Sequence, residues 1–219
     1  MERNSSDDNN LVTRRPAGAA VFQADVTNAL TRAFFKEWAR VGFAAISLER
    51  VAKNAGAGKA AIYRRWSSKV NMASDLLSKV GIRFTDLPDK GSLEADLLAF
   101  LCSLSRVLRH SLIRRILIDL HAETEHEPLL KAAIQPFIEA RRKRVMILID
   151  RAIARREVPQ TIDIETAADF MVSALYWRLV VIGGSSDNQH LETVARMVAA
   201  AMRVGSPNDN KVETLHNLR

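Results

Sequence analysis

The stretch Ser47-Leu-Glu-Arg-Val-Ala-Lys-Asn-Ala-Gly-Ala-Gly-Lys-Ala-Ala-Ile-Tyr-Arg-Arg-Trp66 reads as two short helices joined by a glycine turn. Ser47 can cap the first, whose apolar residues Leu48, Val51, Ala52 and Ala55 recur at three- and four-residue spacing. Gly56 supplies the left-handed stop that a β-carbon resists. The second helix restarts near Gly58 or Lys59 and turns Ile62 and Trp66 inward, while Lys59, Ala60, Tyr63 and Arg64 fall on the outer rows. Two helices of about two turns each cannot bury themselves, so they need a third as a floor. That arrangement is a helix-turn-helix, whose second helix enters a major groove of DNA.

The floor lies just upstream, where Val26, Leu30, Phe34 and Trp38 recur every four residues and Gly42 ends the run. Downstream, Ser67 or Ser68 can cap a further helix, with Val70, Ala73, Leu77 and Val80 as its buried stripe. Pro88 and Gly91 then punctuate the chain, placing a boundary between about Phe84 and Ser92. The organisation read from this is an N-terminal arm over residues 1–20, a DNA-binding head over 21–84, a helical body over 92–204 and a tail over 205–219. Arg14 and Arg15 in the arm either touch a DNA backbone or belong to a solvated tail.

Every periodic segment of the body is helical, and no alternating strand pattern appears, so the fold class is all-α. Leu93, Leu97, Leu101, Leu104 and Leu108 mark one helix, and Leu112, Ile113, Ile116, Leu117 and Leu120 the next. Pro128 opens a long third one to about Arg156, which Pro136 should kink or split. Asp163 opens another through Ile182, stopped by Gly183-Gly184, and a last one runs from about Asn188 to Val204. These final two are apolar on more than one face, as expected if one face packs on the core and another on a second copy of the chain.

Composition narrows the partners. The chain has 219 residues and a formal charge of +7, and residues 21–80 hold ten Lys or Arg against four Asp or Glu. The excess cation thus sits on the segment with the proposed reading helix, which favours nucleic acid. Cys102 is the only cysteine, excluding a disulfide framework and a thiolate metal cluster. The start of the chain is too polar for a signal peptide, and the apolar run Phe170–Ile182 is short and broken by Arg178; a cytoplasmic protein without a membrane span is expected.

Enzymatic motifs are missing. Gly56-Ala-Gly58-Lys59-Ala60 lacks the earlier glycine and the hydroxyl of a phosphate loop, since Lys53 and Ala60 stand there. Gly183-Gly-Ser-Ser186 follows no strand, so it is no nucleophile elbow. His121 and Glu125 are four apart on one helix face, but His126 faces elsewhere, so neither metal nor cofactor is expected.

The residues Gly42-Phe43, Ser47-Leu48, Val51-Ala52, Ala55-Gly56, Lys59, Ile62-Tyr63-Arg64-Arg65-Trp66 and Ser68-Lys69 resemble, nearly position for position, the DNA-binding signature of the TetR family of bacterial transcriptional regulators. Ala174-Leu175-Tyr176-Trp177-Arg178 with Gly183-Gly184 is similar to the dimerisation helix of one branch of it. The resemblance implies a three-helix head and a larger effector-binding body, dimeric through the last two helices, that represses at a palindromic operator until a small molecule releases it. It also implies that Lys59, Ala60, Ala61 and Arg64 face bases, and that Ser47, Tyr63, Arg65 and Lys69 hold phosphates. Gly58 stands where the family usually has Ser or Thr, removing a helix cap, and Ala60 where Gly is common.

The effector is unnamed by sequence. Phe100, Cys102, Arg106, His121, Phe137, Tyr176 and Trp177 are polar or aromatic residues in otherwise aliphatic helices and are candidates for a pocket lining, although each also suits ordinary packing. The basic run Arg141-Arg-Lys-Arg144 suits a solvated face or a second nucleic-acid contact. Two rival classes stay open: a basic helical protein of membrane surfaces, and a helical small-molecule enzyme or carrier with a vestigial DNA head.

Overall fold

The computed structural model describes residues 18–83 and 87–204, and these are helical with no strand among them. The helices are α1 (Gly18–Val41), α2 (Leu48–Asn54), α3 (Lys59–Tyr63), α4 (Lys69–Arg83), α5 (Leu93–Leu108), α6 (Ser111–His126), α7 (Pro128–Ala154), α8 (Ile164–Tyr176) and α9 (Asn188–Val204). The expected arm up to residue 17, with Arg14 and Arg15, and the tail from residue 205 lie outside the described residues. The all-α fold is as the sequence patterning predicts.

Two apolar clusters hold the chain together. One gathers Leu30, Phe34 and Trp38 of α1, Val51 of α2, Ile62 of α3 and Met72 and Leu76 of α4, all at most 1% exposed. It does not end with α4: Ile116 and Leu120 of α6 and Leu130 and Ile134 of α7 belong to it as well. The other is built from α5, α7, α8 and α9 around Leu97, Leu101, Ile149, Met171 and Ala199. Helix α6 therefore serves both, with Leu112 packed on the first cluster and Leu117 on the second.

Capping follows the sequence closely. The Ser47 hydroxyl accepts from the Arg50 amide at 3.3 Å, Ser92 from Ala95 at 3.3 Å and Asp163 from Thr166 at 3.0 Å. Gly42 and Gly56 take the left-handed conformation that ends α1 and α2, with φ of +77° and +64°.

Two helices depart from expectation. Pro136 neither ends nor splits α7, which runs through it from Pro128 to Ala154. Pro136 and Ala132, whose carbonyl loses its donor, are both exposed, so water can satisfy that oxygen. Helix α8 stops at Tyr176 and continues as a π turn over Trp177–Val181, in which the Ile182 amide reaches back five residues to the Trp177 carbonyl at 2.9 Å. The loop after it is fixed by a buried hydroxyl pair, Ser105 and Ser186, at 3.0 Å and by Arg109 donating to the Ser186 carbonyl.

Candidate nucleic-acid interface

Helix α3 is five residues long and is held from beneath by Ile62, fully buried, and by Trp66 just past its end, 4% exposed. The Trp66 indole N–H donates to the Asp75 carboxylate of α4 at 2.8 Å, satisfying the one polar atom of a buried ring. With its inner side fixed, α3 presents Lys59, Ala60, Tyr63 and Arg64 to solvent, and Ala61 half-buried beside them. Among the described residues no hydrogen bond or ion pair engages the Arg64 side chain, so its guanidinium is available. Ala60 and Ala61 add no bulk, letting the helix axis approach a base edge closely.

The other predicted contact residues are engaged within the protein. Lys59 Nζ lies 2.7 Å from the Glu49 carboxylate of α2 and 5.6 Å from the centre of the Tyr63 ring. The Ser47 hydroxyl donates to the same Glu49 carboxylate at 3.1 Å. Arg65 folds back to donate to the Ala61 carbonyl at 2.8 Å. Lys69 is half-buried: its ammonium donates to the Phe43 and Ala44 carbonyls at 3.1 and 2.7 Å and sits 4.9 Å over the Phe43 ring. In this geometry Lys69 holds the loop between α1 and α2 rather than facing out.

That loop is held from its other side by α6. One oxygen of Asp119 accepts both the Trp38 indole N–H at 2.7 Å and the Phe43 amide N–H at 2.8 Å. A β-carbon on Gly42 would lie 2.7 Å from the other Asp119 oxygen, so Gly42 is required for space as well as for its positive φ. Beneath α2, the buried Glu37 carboxylate accepts from Arg50 at 2.7 Å and from Arg40 at 3.1 Å. Burial raises its pKa, but the two guanidinium groups outweigh that and leave it below the ordinary carboxylate value. Sequence reasoning missed Glu37, Glu49 and Asp119. A buried Trp38 does signal that its N–H needs an acceptor, but no spacing rule names a partner 81 residues away.

The seven candidate effector residues do not converge on one space. Phe100, Cys102 and Tyr176 pack partly buried against the body cluster, whereas Phe137 packs against the cluster of the head. Trp177 is 59% exposed. His121 meets Tyr176 edge-on at 5.8 Å, and Arg106 is exposed and donates to the Cys102 carbonyl and the Ser103 hydroxyl of its own helix. Open concavities of about 630 Å³ beside Arg156 and Arg203, and about 560 Å³ beside Arg65 and Asp75, are lined by none of the seven. In the basic run, Arg142 reaches Glu165 and Asp169 of α8 at 3.5 and 3.9 Å, as a solvated face does. Among the described residues no three His, Cys, Asp or Glu side chains gather as a metal site would need, and no helix is long and apolar enough to cross a membrane.

Comparison with known proteins agrees with the geometry of the head. The chain is 26% identical over 152 residues to YdeS, an uncharacterized HTH-type transcriptional regulator of Bacillus subtilis, covering 68% of this chain and 76% of that one. It is 30% identical over 151 residues to the DNA-binding transcriptional repressor TetR of Mycobacteroides abscessus, covering 68% and 78%. Among solved structures, the regulator FadR of Bacillus subtilis in complex with stearoyl-CoA superposes with a TM-score of 0.67 at 14% identity, over 83% of this chain and all of that one, a likeness of fold. Residues 30–76 match the family model for bacterial regulatory proteins of the tetR family, and residues 87–198 match that for the tetracyclin repressor-like C-terminal domain. With the exposed α3 face lying inside the first match and the second spanning about half of the sequence, the chain belongs to the TetR family and is a DNA-binding transcriptional regulator.

Proposed function

We propose that this regulator is a homodimeric repressor of a palindromic operator, with α3 of each protomer in one of two successive major grooves. The observation that carries this is the outer face of α3: an unengaged Arg64 beside Lys59, Tyr63 and two alanines, on a helix anchored by Ile62 and Trp66. Arg64 reads a guanine edge in bidentate fashion, Ala60 and Ala61 face neighbouring bases, and Lys59, at the start of the same row, neutralises the adjoining phosphate. Tyr63 meets phosphate from the groove rim, and Ser47, Arg65 and Lys69 do so once they leave their internal partners. A head over 21–84 offers few base contacts, so discrimination needs two heads about 34–36 Å apart on one duplex.

The second protomer is supported by the outer faces of α8, the π turn and α9, where Phe170, Trp177, Val181, Ile182 and Met197 are each more than half exposed. An apolar surface of that kind on a regulator whose operator has two halves is suited to an isologous interface. The body over 92–204 takes a small-molecule effector whose binding moves the heads apart; a coupling of about 1–3 kcal/mol suffices to change occupancy. The regulator FadR of Bacillus subtilis, which shares this fold, is solved in complex with stearoyl-CoA, and that supports a small-molecule ligand for this chain as well. The protein acts in the cytoplasm without catalysis, cofactor or membrane partner.

The test is selection of bound duplexes from a random pool, followed by mobility shifts of the selected site with Arg64→Ala. A palindromic consensus is expected, and the variant should lose about 1–3 kcal/mol of discrimination at one base pair per half-site. Absence of sequence preference, or a monomer at micromolar concentration by light scattering, overturns the reading.

A further inference from the structure

Glu49 is the second residue of α2, and its carboxylate bridges the turn to the first residue of α3. One oxygen lies 2.7 Å from Lys59 Nζ and the other accepts the Ser47 hydroxyl at 3.1 Å. The same ammonium and hydroxyl are the groups that the DNA interface offers to the nucleic acid. A carboxylate and a phosphate are both anionic oxygen acceptors and ask the same of an ammonium and a hydroxyl. The neighbouring Arg50 does not compete for Glu49, since it turns away to Glu37 and the Ala45 carbonyl.

From this geometry we infer that Glu49 is an affinity-setting residue of the DNA interface, an internal competitor that occupies Ser47 and Lys59 until a phosphate displaces it. The inference rests on the reading of α2 and α3 as the DNA-facing surface. Side chains of Lys59 and Glu49 are 62% and 56% exposed, so the pair sits in water, is weak and opens readily. Its hydrogen bond from Lys59, with those from the Glu49 amide and Ser47, holds the Glu49 carboxyl down at about 2. The competitor is thus charged at every pH at which DNA binding is measured. When Lys59 moves to a phosphate, Glu49 is left to take up a cation from solution, which cancels the counterion that the phosphate releases. Glu49 therefore lowers both the affinity and its salt dependence.

The experiment is a salt series of mobility shifts on the selected operator with wild type, Glu49→Gln, Lys59→Met and the double variant. Glu49→Gln should bind about two- to fivefold tighter. Its plot of log affinity against log salt should steepen by about 0.9, the contribution of one more neutralised phosphate. In the Lys59→Met background the same change should give no gain. Unchanged affinity and slope for Glu49→Gln overturn the inference, as does a gain that survives without Lys59. Weaker binding by Glu49→Gln also overturns it, since the carboxylate would then itself touch a base. These failures leave the functional reading intact so long as wild type selects a palindrome and Arg64→Ala weakens it. If those two results fail, it is the reading of the interface that falls.

Discussion

Two carboxylates, Asp119 and Glu49, each hold a pair of donors from separate elements, and they do so in opposite surroundings. Asp119 of α6 accepts from Trp38 and the Phe43 amide, residues 0% and 1% exposed. Glu49 accepts from Ser47 and Lys59 in open solvent. Water can replace Glu49 on its donors as soon as it leaves, whereas nothing can replace Asp119 on a buried indole and a buried amide. The same chemistry thus joins head to body in one place and leaves a contact free to be exchanged in the other. Burial, not bond length, decides which is which, since both pairs include a distance of 2.7 Å.

The largest effect that follows is on Asp119. Asp119→Ala leaves two buried donors without an acceptor and should lower stability by about 3 kcal/mol, read as the midpoint of chemical denaturation. Both bonds go to a single oxygen, which an amide also possesses, so Asp119→Asn should lose about 1 kcal/mol. Equal losses for the two variants would break the comparison. Gly42→Ala comes next at about 2 kcal/mol, from its positive φ and the 2.7 Å approach of the new carbon to Asp119. The steric share vanishes when Asp119 is itself alanine, so the double variant should be less damaged than the singles added together.

The contrast also explains what the sequence made legible. The floor helix, the capped α2, the glycine stops and the inward Ile62 and Trp66 all follow from local spacing, because each is set by residues within one or two turns. The family signature covers the same segment; Lys59, Ala60, Tyr63 and Arg64 are exposed, whereas Arg65 and Lys69 are half-buried on internal carbonyls that no spacing rule announces. Asp119, Glu37 and the shared duty of α6 were not legible, since an acceptor for Trp38 is chosen by tertiary packing that no period encodes. The π turn at Trp177 was hidden for the opposite reason: its residues keep helical composition, and one inserted residue leaves the apolar pattern nearly unchanged. Candidate effector residues were chosen for being polar or aromatic among aliphatic neighbours, which does not tell the cluster of the head from that of the body, and Phe137 packs against the former.

Acid separates a buried carboxylate from an exposed one on a smaller scale. Burial raises the Glu37 pKa, yet Arg50 and Arg40 bring it below the ordinary value, so the group binds protons more weakly folded than unfolded. Its stabilisation is complete above the ordinary carboxylate range and is lost as pH falls through that range toward the lowered value. Glu37→Gln should remove about 1.5 kcal/mol at neutral pH, a modest loss because both arginines are more than half exposed and rehydrate. The difference from wild type should close in acid, and denaturation midpoints across a pH series would show it; a constant difference would mean that packing, not charge, is what Glu37 supplies.

The smallest expected effect is the sharpest test of the comparison. Glu49 also has a lowered pKa, held at about 2, chiefly by its hydrogen bond from Lys59. By pKa alone it would rank above Glu37 as a source of acid-sensitive stability. Its exposure to water argues the reverse, because solvent screens the pair and its donors find water when it opens. Glu49→Gln should therefore leave the thermal midpoint unchanged within error at neutral pH, while the same substitution tightens DNA binding. A clear loss of thermal stability would place Glu49 with Asp119, as a strut between elements, and would remove the reason for expecting a phosphate to displace it.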